Sequence, residues 1–251
     1  MARALPVVQD GPALDDAERD RGPCERALDE LWPVARARLW TWRYLRETLR
    51  LWRRFHLRAL TLGSVRIAVP PGQVPDCDAC TEVCCAGDDA VVSLRFRDLA
   101  RLVDAGLQGH VTHERPAPRL GDAERSWARR EADASVFGRA FPVLTRDQTG
   151  TCTLLSSERT CNAWPRWPLS CARYPYALDL RSRVIFWAKG CRSTTVLPAS
   201  EAPARVRALV RAVVDGYNER LKDAVLLEVA RPELAALGLL RFIELSRLPR
   251  A

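Results

Sequence analysis

The chain has 251 residues, 47% hydrophobic and 28% charged, which is enough to bury a core in one large or two small domains. Collagen-like, fibrous and wholly disordered classes are excluded, and only 13 glycines give no support to a Gly-rich phosphate-binding architecture. The net charge of +8 is concentrated: residues 31–60 hold eight Arg (36, 38, 43, 46, 50, 53, 54, 58) against Glu47, a local +7.

Residues 1–24 mix Pro, Gly and acids without periodicity and read as a mobile tail. They hold no apolar stretch after the first Arg, so a secretory signal is not expected and the default compartment is a reducing cytoplasm. From about Glu25 to Leu60 the pattern is helical. Leu31, Leu39, Trp42, Leu45, Leu49 and Trp52 recur at steps of three and four, with Arg between them, and Pro33 is compatible with a helix start. An apolar stripe most often faces a core, so this helix is expected to pack its Leu/Trp stripe inward while Arg stems cover the rim. An anionic membrane surface or a nucleic-acid backbone is the lesser alternative.

Residues 64–69 read as a short strand that Pro70-Pro71-Gly72 ends. Ala90 to Leu94 reads as a strand and Arg97 to Ala105 as a helix closed by Gly106. A helix is expected over Gly121–Asp133. Tyr174–Leu180 and Arg183–Ala188 read as two strands joined by Arg181-Ser182, a dipeptide outside the favoured hairpin turns. From Ser200 the pattern is helical. Ala204, Val206, Leu209, Val210, Val213 and Tyr217 form one stripe, and a second helical stretch covers Leu226–Leu245, with Pro232 opening a new turn. No run approaches 18 uninterrupted apolar residues, so no transmembrane helix is expected.

Nine cysteines are too many for incidental use as small hydrophobes. Cys77, Cys80, Cys84 and Cys85 fall within nine residues as C-x2-C-x3-C-C. Such spacing lets one loop converge several thiolates on a centre, the demand of a tetrahedral thiolate site. A second group follows at Cys152, Cys161, Cys171 and Cys191. Two sets of four match two four-thiolate centres, or one larger cluster with spare thiols, and soft sulfur selects zinc or iron–sulfur over magnesium or calcium. Adjacent Cys84 and Cys85 point to opposite sides of an extended backbone and are expected to serve different metals, or different irons of one cluster. Cys24 has no sequence partner and stays outside the set.

These motifs resemble the bacterial YkgJ-type cysteine-cluster family, the zinc- or iron-chelating CxxCxxCC domain. After the paired cysteines that family carries V-x-L-x-x-x-D-x-x-R-L, matched by Val92, Leu94, Asp98, Arg101 and Leu102. Next comes G-x-C-x-x-L, matched by Gly150, Cys152 and Leu155, and then a segment matched by Cys161, Trp164, Pro168, Cys171, Tyr174 and Pro175. The likeness spans about residues 77–191. Three residues separate Cys80 from Cys84 where the family commonly has two, Trp167 stands at a usual arginine, and Ala172 replaces another. The resemblance implies a metal- or Fe–S-binding protein. A similar cysteine region in the bacterial flagellin lysine methylase adds protein modification or redox chemistry as the alternative. Asp98, matched within the family pattern, could hydrogen-bond a ligating loop from outside the ligand shell.

Other site signatures fail. A radical-SAM triad would need a cysteine at Gly87, the bacterial ferredoxin run one at Val83, and no dinucleotide or P-loop glycine motif occurs. His110 and His113 lack a carboxylate in a zinc-protease arrangement and read as surface or loop histidines. The expectation is a mainly α protein with a few short strands (α+β), organised around a cysteine-rich metal core. The predicted segments are the tail over 1–24, the basic helix and strand over 25–72, the cysteine-cluster domain over 73–195 and packing helices over 196–251. If the metal is structural, a protein partner would meet the basic helix 31–60.

Overall fold

A computed structural model describes residues 21–55, 59–70, 72–75, 85, 92–114, 137, 141–158, 160–163, 166–179, 182–187, 194–198 and 200–244. In chain order the elements begin with helices α1 (Pro23–Leu39) and α2 (Leu45–Phe55) and strands β1 (Arg66–Ala68) and β2 (Gln73–Pro75). Then come helix α3 (Phe96–Asp104), strands β3 (Val111–Glu114) and β4 (Phe141–Leu144), helix α4 (Leu169–Arg173), and strands β5 (Tyr176–Asp179), β6 (Val184–Trp187) and β7 (Thr194–Val196). Helices α5 (Ala202–Val229), α6 (Arg231–Ala236) and α7 (Arg241–Glu244) complete the described chain. The mixed, mainly helical α+β class expected from the sequence is present. No described helix is long and apolar enough to cross a membrane. The expected helix over 121–133 lies outside the described residues.

The chain forms two compact units that interleave in sequence, one built from Ala59–Ala90 and Arg146–Asn218, the other from Arg21–Arg58, Val91–Thr145 and Glu219–Ala251.

In the first unit β6 is central, parallel to β1 and antiparallel to β5, and β2 pairs antiparallel with β7. Leu209, Val210 and Val213, one stripe of α5, pack on Val74, Tyr176 and Ile185. The Tyr176 hydroxyl donates to the Gln73 carbonyl at 3.0 Å, and its ring meets Trp187 edge-on with centroids 5.7 Å apart. The β5–β6 connection is secured by the Ser182 hydroxyl on Asp179 Oδ2 at 2.6 Å, with Arg183 in the left-handed region at φ 53°. Side-chain bonding here replaces the turn dipeptide that the sequence lacks.

In the second unit α1 packs on α3, and β3 pairs antiparallel with β4. Helix α1 starts at Pro23, so Pro33 lies inside it and not at its start. Its first turn is capped from afar: Asp104 accepts from the amides of Cys24 (2.8 Å) and Glu25 (3.0 Å). Gly22 is required there, since a Cβ would stand 2.3 Å from Asp104. Helix α3 ends as expected, with Gly106 at φ 71°.

The single helix expected over 25–60 is broken. Thr41 donates both its amide (3.0 Å) and its hydroxyl (2.7 Å) to the Arg38 carbonyl, closing α1 before the 3-10 turn Trp42–Tyr44. Among the residues of α2 whose burial is described, Thr48 and Leu51 are buried, while Leu45, Leu49 and Trp52 are exposed. The inward packing expected of the whole Leu/Trp stripe therefore holds for Leu39 and fails from Trp42 to Trp52.

A buried ionic cluster joins α1, α3 and the end of α5. Arg97 reaches Asp29 at 2.5 Å and Glu219 at 3.2 Å, Arg101 holds the buried Glu25 at 2.9 Å, and Lys222 meets Glu219 at 2.6 Å. Burial opposes the Arg97 charge, but Glu219, Asp29 and Glu25 together hold the guanidinium more firmly protonated than usual.

Candidate metal centre

The local structure around Cys152 follows from two short loops. In the first, Asp147 Oδ1 accepts from the amides of Thr149 (2.8 Å) and Thr151 (3.0 Å) and from the Thr149 hydroxyl (2.6 Å). The Thr149 hydroxyl bond, with the two amides behind it, holds the Asp147 carboxyl below its ordinary range. Gly150 takes φ 80°, which an L side chain would resist, and Arg146 bridges Cys152 in an antiparallel pair. In the second loop the Ser156 amide donates to the Thr160 carbonyl at 2.8 Å, their hydroxyls bond at 2.8 Å, and Leu155 bridges Cys161. Two consecutive reversals thus return the chain at Cys152 and again at Cys161.

Cys152 is buried, and its amide donates to the Cys85 carbonyl at 2.6 Å. This bond joins the end of the first cysteine group to the start of the second across more than sixty residues of sequence. Cys171 sits in α4, where its amide donates to the Pro168 carbonyl at 2.9 Å and its carbonyl accepts from the Tyr174 amide at 3.2 Å. Cys85, Cys152, Cys161 and Cys171 all belong to the first unit and none is in a disulfide.

Cys77, Cys80, Cys84 and Cys191 lie outside the described residues. The strands beside them in sequence are described, and their register is informative. In the β2–β7 ladder Pro75 pairs with Thr194, so the chain leaves β2 two residues before Cys77 at the end where it enters β7, three residues after Cys191. In the β5–β6 ladder Tyr176 pairs with Trp187, so the segments carrying Cys171 and Cys191 also leave that ladder at one end. Pairings between remote strands thus bring the ends of β2 and β7, and those of β5 and β6, side by side, a signal no local spacing contains.

Among the described residues, no three His, Cys, Asp or Glu side chains form a group able to hold a metal ion. The described donors are all thiols, soft ligands that suit zinc or an iron–sulfur cluster.

The other candidates sit elsewhere. Asp98 is buried in the second unit and accepts from the Arg95 amide at 2.9 Å, capping the start of α3. That role explains a carboxylate at this place in the V-x-L-x-x-x-D pattern without reference to a metal. His113 lies on β3 and bonds the Phe242 carbonyl through Nε2, and His110 ends a 3-10 turn. Cys24 is buried in the first turn of α1; burial, reinforced by Asp104, pushes its thiol pKa up.

Sequence reasoning missed Asp223 in the second unit. Its carboxyl is fully buried, accepts from the Phe96 amide at 3.3 Å through Oδ1, and has no hydrogen-bond partner for Oδ2. Burial pushes its pKa well above the ordinary aspartate range, although Arg95 pulls the other way. A lone Asp in a Leu-rich helix carries no spacing signal that would have found it.

Comparison of the chain with protein-family models, with curated proteins and with solved structures finds no match.

Proposed function

We propose that the chain is a cysteine-cluster metal-binding protein that chelates zinc or an iron–sulfur cluster through Cys77, Cys80, Cys84 and Cys85 with Cys152, Cys161, Cys171 and Cys191. The observation that carries this reading is the amide-to-carbonyl bond from Cys152 to Cys85, with the β2–β7 and β5–β6 registers supporting it. The spacing of the eight cysteines and their likeness to the CxxCxxCC family point the same way. The strands of this unit are only three or four residues long and its loops extensive. Metal therefore supplies folding energy here: a structural four-thiolate zinc contributes about 10–16 kcal/mol of apparent binding free energy.

The test is the double variant Cys84→Ser/Cys85→Ser, purified anaerobically beside the wild type. It is expected to lose most of its bound metal and to melt at a lower temperature. Unchanged metal content and melting temperature would overturn the assignment.

A further inference from the structure

The exposed face of α2 is the part of the molecule the metal reading does not use. Trp42, Leu45, Leu49 and Trp52 follow one another at helical steps, and Trp40 and Trp42 are 71% and 89% exposed. Trp52 is 55% exposed, and with Leu39, Trp40, Trp42, Leu45 and Leu49 it lines a shallow cleft of about 320 Å³. On one side of this stripe run Arg46, Arg50 and Arg53, again one helical turn apart, and on the other Thr48 and Leu51 are buried. Arg50 is paired with Glu228, whereas among the described residues Arg36, Arg46 and Arg53 have no acidic partner. Arg43 lies over the Tyr44 ring at 5.5 Å.

We propose that this face binds an anionic lipid bilayer, with Trp40, Trp42, Leu45, Leu49 and Trp52 in the headgroup region and Arg43, Arg46 and Arg53 on lipid phosphates. Amphipathic indoles favour that interface, and a helix with an apolar stripe beside a basic one lies in its plane. Charge decides between occupants. A second copy would set this arginine-rich face against itself, and of the described acids beside it Glu47 is half-buried and Glu228 is already engaged by Arg50. A nucleic-acid strand is held in a positively charged groove that tracks its backbone, whereas the described arginines Arg46, Arg50 and Arg53 form a single row beside the apolar stripe.

The experiment uses the full-length metal-loaded protein and co-sedimentation with vesicles of phosphatidylcholine alone or with about 30% phosphatidylserine, in about 0.1 M salt. Binding to the anionic vesicles is expected to be at least tenfold tighter than to neutral ones. Arg46→Gln and Arg53→Gln should each weaken it about fivefold, and Trp42→Ser/Trp52→Ser at least tenfold. Brominated acyl chains should quench the wild-type tryptophan fluorescence, a readout that needs no variant. The proposal fails if the protein does not sediment with vesicles, binds both compositions equally, or shows no bromolipid quenching. It fails equally if a short DNA duplex displaces the vesicles, or if the Trp substitutions leave binding intact while abolishing a dimer.

Discussion

The amide of Cys152 donates to the carbonyl of Cys85 at 2.6 Å, which ties the first residue of the second cysteine group to the last of the first. A thiol so placed is expected to be a ligand, whereas the buried Cys24 in the other unit is not. Cys152→Ser should therefore lose at least half of the bound metal, measured by elemental analysis per chain. Cys24→Ser should retain all of it. Full retention by the Cys152 variant would remove that residue from the site.

Asp104 satisfies two amides of the first turn of α1 that no local side chain reaches. Asp104→Ala leaves both without an acceptor and is expected to cost about 1–2 kcal/mol. In a chain of this size that lowers the melting temperature by roughly 2–8 °C. Calorimetry checks it, and metal content should not change.

Asp223 makes stability depend on pH. Its folded-state pKa is raised, so between the ordinary aspartate value and the folded value the native state holds a proton that the unfolded chain has released. Stability from this group is then greatest below the unfolded pKa and falls as pH rises through the folded one. Asp223→Asn removes that loss. The variant should unfold at higher denaturant than wild type at pH 8, and the difference should shrink by pH 4. An equal difference at both values would show that folding does not shift this carboxyl, and a deficit that grows from pH 4 to pH 8 would show that it is ionised and stabilising in the native state.

Local features were the legible part of the fold. Helix α3 and its Gly106 stop, the strand at 66–68, the β5–β6 pair and the Leu209/Val210/Val213 stripe each rest on neighbours a few residues apart. Pairings over long separations, such as β2 with β7 and β3 with β4, carry no local signature, and neither does the distant cap from Asp104. Periodicity places Leu45, Leu49 and Trp52 on one face but carries no information on what covers it, and that face is exposed. At the candidate site, spacing singled out the cysteines. That Cys85 meets Cys152 depends on the Asp147 and Gly150 turn and on remote strands, which only the fold reveals.

The central claim is that these cysteines hold metal, and the most direct measurement is the metal and acid-labile sulfide content of anaerobically purified wild-type protein, read with its absorbance spectrum. The account predicts at least one metal equivalent per chain. It would be either colourless zinc protein or brown protein with iron, sulfide and a band near ~400 nm. Protein with neither zinc nor iron above trace level, and with the eight thiols assigned as ligands reacting freely in the native state, would contradict it.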